Sequence, residues 1–248
     1  MNGWRKFFAV SCSHGSYLDD ECRRFVLRFL DRWKPHTVAH LGDWVDTRAF
    51  RRGAAGTSDQ SANVREDMTS GQKFLNEMFE APGVQRRLLF AGNHEHRIYE
   101  VADDLDAVRA EAAQMILSSW EAYAKKWKCD GGLIPYDIED GWRELGSDCV
   151  LGHGYMIGKN AVAAHAEMHG RKVIFGHLHR VEARPGETMH ESRGYCCGWL
   201  GNRIGYERRR RATLAWGNGV AFGVYKPNGQ TVVTLCERPA IGEWALPI

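Results

Sequence analysis

The chain has 248 residues, 44% of them hydrophobic and 26% charged, and its 33 Lys plus Arg stand against 31 Asp plus Glu for a formal charge of +2. That composition excludes a disordered or fibrous chain, and it excludes a polyanion binder working through a strong global basic excess. Residues 1–10 lack the apolar core of a signal peptide and no apolar run approaches the ~18 to 20 residues of a membrane span, so the expected location is cytoplasmic, with no membrane partner. Residues 4–10 (WRKFFAV) read as a buried strand that runs into a Ser/Gly-rich turn. A helix follows, with Asp19 or Asp20 as its N-terminal cap and Cys22, Phe25, Val26, Phe29 and Leu30 at three- and four-residue steps before Pro35 closes it. Residues 37–41 (TVAHL) make a second buried strand ending at Gly-Asp, so the chain opens as strand, helix, strand with its loops at the strands' carboxyl ends. Residues 48–61 (RAFRRGAAGTSDQS) have no periodicity and read as a surface loop. A helix over 63–79, with Met68, Phe74, Leu75 and Met78 on one face, leads through Pro82-Gly83 to a third strand over 85–91 and a Gly-led polar loop. A helix over 105–126, a strand at 149–151, a helix over 161–168 and a strand at 172–175 come next. After His179 the pattern turns β-rich, with a hairpin predicted between 221–225 and 231–236 across Pro227-Asn228-Gly229. A single domain accounts for the whole, with a helical insertion at about 100–145 and a β-rich part at about 180–240.

The seven cysteines are odd in number and irregularly spaced, so reduced thiols are expected, and nothing near Cys196-Cys197 makes a CxxC zinc pair. The 11 histidines are more informative, because several fall where strands end. Five such junctions carry His, Asp or Asn: Cys12-Ser13-His14, Gly42-Asp43-Trp44-Val45-Asp46, Gly92-Asn93-His94-Glu95, Gly152-His153-Gly154 and Gly176-His177-Leu178-His179. Each glycine in these junctions allows close backbone approach or a positive φ while its polar neighbour projects from a strand end. His36, His40, His96, His165, His169 and His190 lie outside this pattern and read as ordinary hydrogen-bonded residues, and Glu95 as a supporting residue.

In order and spacing, these junctions resemble the calcineurin-like metallophosphoesterase superfamily, whose blocks run DxH, GDxxD, GNH(D/E), GH and GHxH. The resemblance covers about residues 6–180 and keeps four of the five blocks. It implies an α/β fold, a two-sheet β-sandwich flanked by helices. It also implies two divalent metal ions (Mn, Zn or Fe), with Asp43 bridging them, His14 and His179 on the first, and Asn93, His153 and His177 on the second. His94 would be the general acid and Asp46 its orienting carboxylate. The implied activity is hydrolysis of a phosphate ester by a metal-bridging hydroxide.

The departure is at the first block, where Cys12 stands in the place of the family's Asp. A thiolate there would be a metal ligand favouring Zn or Fe at the first site. The competing role is a small buried residue beside a weakly held or absent first metal. Arg48, Arg51 and Arg52 follow the Asp43–Asp46 loop and are candidates to hold phosphate oxygens by forked hydrogen bonds. The basic run from Arg208 to Arg211, near Tyr206 and Trp216, reads either as a guide for a nucleic-acid backbone or as a solvated face. Segment 194–218 also looks like the tail of phage- and prophage-encoded members of the superfamily. A phosphodiester of a nucleotide or nucleic acid is preferred as substrate over a monoester. The alternatives are a catalytically impaired binding module on the same fold and a nuclease subunit that needs a partner.

Overall fold

The first strand, β1 (Arg5–Val10), carries apolar residues on both faces, as a strand packed between two layers must. Phe7 and Ala9 point into one buried cluster and Phe8 and Val10 into another. In the computed structural model, residues 3–202 and 213–248 are described. Helix α1 (Asp20–Trp33) starts on the Asp19 side chain, which accepts from the backbone N–H groups of Glu21 and Cys22 at 2.9 and 3.0 Å. It stops at Lys34, in the left-handed region with φ 49°, just before Pro35. The elements that follow are β2 (Thr37–His40), α2 (Val64–Phe79), β3 (Arg86–Phe90), α3 (Asn93–Ala102), α4 (Ala107–Lys126), β4 (Leu133–Ile134), β5 (Trp142–Gly146), β6 (Cys149–Gly152), α5 (Ala161–His169), β7 (Lys172–Phe175), β8 (Val181–Pro185), β9 (Arg193–Cys197), β10 (Gly219–Tyr225) and β11 (Thr231–Glu237).

These strands form a six-stranded sheet in the order β11-β10-β1-β2-β3-β4 and a five-stranded sheet in the order β5-β6-β7-β9-β8. In the first, β1 to β4 are parallel, and in the second β6, β7 and β9 are parallel. The inner faces meet in one cluster, with Phe7, Ala39, Leu88, Phe90 and Ile134 from the first sheet against Leu145, Leu151, Ile174 and Cys197 from the second. Helices α1, α2 and α4 cover the outer face of the first sheet, and α5 covers the second against Trp142, Val173 and Phe175. This is the helix-flanked two-sheet sandwich that the resemblance implied.

Two local expectations change. The polar loop expected after the third strand is the first turn of α3, because Glu95 reaches back to accept the Gly92 N–H at 2.6 Å and closes the helix start. The stretch expected to be helical around 100–145 is helical only to Lys126; beyond it, the two-residue β4 edges the first sheet and β5 edges the second. β4 is only two residues long, and the WRELG of β5 offers neither an apolar run nor a clean alternation. Segment 48–61 is irregular, as expected, apart from two 3₁₀ turns, Arg48–Phe50 and Ser58–Ser61. No helix among the described residues is long and apolar enough to cross a membrane. The basic run Arg208 to Arg211 lies outside the described residues.

Candidate metal centre

Because β1, β2 and β3 run parallel, their carboxyl ends open on one side of the sheet, and the ends of β6 and β7 deliver their loops to the same place. The backbone at these ends is held in a conformation that L residues seldom adopt. Cys12, His14, Asp43, Thr47, His177 and His179 all have φ between 50° and 60°. Such strain persists where the surrounding structure imposes it, and its concentration here marks a functional site. The glycines are needed for close approach: a Cβ at Gly92 would strike the Asp43 carboxylate, and one at Gly42 would lie 2.6 Å from His153 Nδ1.

Cys12, His14, Asp43 and His179, all buried, offer ligand atoms that lie within 4.8 Å of one another. His14 Nε2 is 3.1 Å from His179 Nε2, and Cys12 Sγ is 3.9 Å from Asp43 Oδ2 and 3.0 Å from Ser11 Oγ. Burial lowers the pKa of both His14 and His179, so both rings are neutral with lone pairs to offer. Burial, with the Asp43 charge beside it, pushes the Cys12 thiol well above its ordinary value. Cys12 is therefore protonated in the metal-free chain, and only a cation in contact with the sulfur would ionise it.

The second group is built around Asn93. Its Oδ1 lies 3.0 Å from His153 Nε2 and 2.9 Å from His177 Nδ1, and Asp43 Oδ2 lies 3.3 Å from the same His153 nitrogen. His153 Nδ1 donates to the Leu41 carbonyl at 2.7 Å, which fixes the ring proton there. Nε2 thus faces two oxygen acceptors; burial alone would lower the His153 pKa, but Asp43 raises it, so in the metal-free chain a second ring proton serves those oxygens in the place that a cation would take. His14 shows the same design, with Nδ1 3.4 Å from the Asp46 carboxylate and Nε2 turned inward. An imidazole anchored at one nitrogen by a carbonyl or carboxylate, with the other directed into a cluster of oxygen and sulfur donors, is the arrangement of a metal ligand. The donor set therefore fits divalent cations.

His94 sits at the edge of this cluster, its ring centroid 4.6 Å from that of His14. Its Nδ1 lies 3.0 Å from Asp46 Oδ1 and 2.8 Å from the Asp46 carbonyl oxygen. Burial alone would lower its pKa, but Asp43 and Asp46 outweigh burial and raise it to about 9. Burial likewise opposes ionisation of Asp43, yet His153, His94 and His14 hold that carboxyl well below the usual range. Asp46 is held low, against burial, by His14 and His94.

The expected arginines do not join the cluster. Arg48 lies over the Tyr17 ring, 4.6 Å from its centroid; Arg51 pairs with Asp59; and Arg51 and Arg52 line a separate cavity. Three supporting features escaped the sequence reading. Asp67 accepts the Asp46 and Thr47 N–H groups, each at 2.9 Å, and so shapes the second loop from a distant helix. Arg97 Nη1 donates to the Asp46 carbonyl at 2.9 Å. Trp199 stacks on His179 at 5.0 Å with rings 10° apart, and Trp216 meets His179 edge-on at 4.4 Å. None of the three falls in a motif, and only the packing of distant segments brings them here. Glu95 behaves as expected of a supporting residue, accepting from the backbone N–H groups of Asp43, Val45 and Gly92.

A sandwich whose parallel strand ends converge on buried imidazole, carboxylate, amide and thiol donors defines a metal-binding α/β protein. More particularly, the sequence profile of the calcineurin-like phosphoesterase family matches residues 5–181, well over half of the chain, and the chain belongs to that family. Among solved structures, the chain is similar to a metallophosphoesterase from Sphaerobacter thermophilus (12% identity, 94% of this chain and 87% of that one, TM-score 0.45). It is also similar to Vacuolar Protein Sorting 29 from Cryptosporidium parvum (10% identity, 95% and 98%, TM-score 0.48) and to Yfce, a phosphoesterase from E. coli (17% identity, 93% and 97%, TM-score 0.38). No curated protein matches the chain in sequence.

Proposed function

We propose that this chain is a metal-dependent phosphoesterase whose ligands are Cys12, His14, Asp43 and His179 for one cation and Asp43, Asn93, His153 and His177 for a second. The observation that carries the reading is the proton-bearing His94, held on Asp46 against the wall of the ligand cluster. A fold that merely binds has no chemical need for a proton donor placed there. Divalent cations, when bound, polarise phosphoryl oxygens and lower the pKa of water. What remains for the protein is to place the ester and protonate its leaving oxygen. With Nδ1–H engaged by Asp46, His94 presents its other nitrogen for that transfer, and the Asp46 carboxylate favours the protonated ring once bound cations take up the Asp43 charge. Thr47 Oγ1 donates to the His94 carbonyl at 2.6 Å, and Glu95 ties the Asp43 and Gly92 backbones together, so donor and ligand loops are held as one unit.

The substrate reading favours a phosphodiester of a nucleotide or nucleic acid over a monoester, and the Cys12 sulfur favours zinc or iron at the first site. Assay of the chelated protein with generic mono- and diesters, after addition of Mn²⁺, Zn²⁺ or Fe²⁺, tests the proposal. Diester cleavage that returns with the metal is the expected result. Absence of cleavage of either class with all three metals would leave a binding module in its place.

A further inference from the structure

Beside the metal centre, between segment 48–61 and the α3–α4 turn, lies an open cavity of about 590 Å³, a volume in the ordinary range for small-ligand sites. Its walls carry Arg51, Arg52, Arg97 and Arg109 against only two carboxylates, Glu100 and Asp104. Asp104 lies 3.9 Å from Arg109 across an exposed gap, a contact that holds neither side chain firmly. Arg51 is engaged by Asp59. Arg52 and Arg97 have no carboxylate partner among the described residues. A pocket so lined favours an anion, and the guanidinium fork suits phosphate in particular.

Arg97 sets the direction of the cavity relative to the reaction. It lies one helical turn beyond His94 on α3, so the two side chains share a face. Both reach the same Asp46 carbonyl, Arg97 Nη1 at 2.9 Å and His94 Nδ1 at 2.8 Å. The Nε and Nη2 donors of Arg97 are left for the cavity that the residue lines. The cavity is therefore joined to the proton donor through the Asp46 backbone, on the Nδ1 side of the His94 ring.

We propose that this cavity is a subsite for a second phosphate of the substrate. The substrate class is then a phosphodiester bearing a further phosphate beyond the scissile one, the chemistry of a short nucleic-acid strand. This assignment rests on the phosphoesterase reading, and it explains how a chain with a formal charge of +2 could select a polyanion: the cations are gathered at one wall.

The test compares binding of two phosphorothioate-linked thymidine dinucleotides, one with a terminal phosphate and one without, to the full chain and to an Arg52→Glu/Arg109→Glu variant. Both residues are exposed, so the variant should fold, and its melting curve checks that it does. An Arg52→Lys/Arg109→Lys variant keeps the charge and should keep most of the preference. The parent is expected to bind the phosphorylated probe at least about tenfold more tightly, a preference that the Glu variant should abolish. Equal affinity of the parent for the two probes, or a preference that the folded Glu variant retains, overturns the subsite. Turnover of the oxygen-linked dinucleotides with added Mn²⁺ or Zn²⁺ separates the two readings. Cleavage with no phosphate preference removes the subsite and keeps the phosphoesterase. A phosphate preference without cleavage of either dinucleotide removes the phosphoesterase, while the anion site stands.

Discussion

At the mouth of the sandwich five histidines surround Asp43 and Asp46, whereas on the outer face of the second sheet His165 and His169 pack against Trp142, with their rings 6.1 and 4.3 Å from it. Burial acts on both groups in the same direction, against charge. On the outer face no carboxylate opposes it, and burial, helped by His169 and His153 against the Ala161 hydrogen bond, pushes His165 down to about 4. Both of its nitrogens are used, Nδ1 donating to the Ala161 carbonyl at 2.7 Å and Nε2 accepting the Tyr155 N–H at 3.1 Å. At the mouth the carboxylates oppose burial and split the histidines, raising His94 to about 9 while His177 falls to about 4. A histidine becomes available for chemistry when a carboxylate faces it and its second nitrogen is left uncommitted by the backbone. Counting histidines does not reveal which of them meet that condition.

The comparison breaks most decisively at His94. The His94→Ala variant should lose about 10²- to 10⁴-fold in kcat on a generic diester while its metal content stays at the parent level. His165→Gln should leave kcat unchanged on the same substrate. Comparable losses in both variants would erase the distinction between the two regions.

A second effect belongs to the outer face. Between its ordinary value of 6.5 and about 4, the unfolded chain takes up a proton that folded His165 refuses. Stability from this residue is therefore complete above that window and drains away as the pH falls through it, by about 3 kcal/mol in all. Denaturant midpoints of the chelated protein at pH 7 and pH 4.5 measure it. His165→Gln should show a shallower acid loss than the parent, and parallel losses would show that the ring does not titrate as described.

The smallest effect sharpens the mouth itself. Cys12→Ala should weaken zinc binding at least about tenfold, since even outer-shell partners of a metal cost that much. Cys12→Asp should restore binding while moving the preference toward harder ions such as Mn²⁺. Competition titration with a metal indicator reads both. Zinc affinity and stoichiometry unchanged in Cys12→Ala would make Cys12 a packing residue.

The fold was legible where apolar residues recur at strand or helix spacing over enough length, as in α1 with Phe25, Val26, Phe29 and Leu30. The short edge strands and the helical start at Asn93 were not. In the first case Leu133–Ile134 is two residues long and Trp142–Gly146 does not alternate, and in the second a single Glu95 side chain closes the turn. The candidate ligands were legible because His14, Asp43, Asn93, His153 and His177 each adjoin a glycine at a strand end, with Cys12 and His179 two residues from His14 and His177. Asp67, Arg97 and Trp199 obey no local rule, and their places depend on which helix or strand packs against the loop.

By itself, then, the sequence determined which residue types stand at the strand ends and in what order, facts that follow from chain-local backbone demands, while the family resemblance adds that Cys12 stands where a carboxylate is expected. Only the tertiary structure decided which nitrogen of each ring faces inward, which carboxylate opposes which burial, and that Arg52, Arg97 and Arg109 share one cavity. Electrostatic balance depends on distances between segments far apart in the chain, and no run of neighbouring residues encodes them.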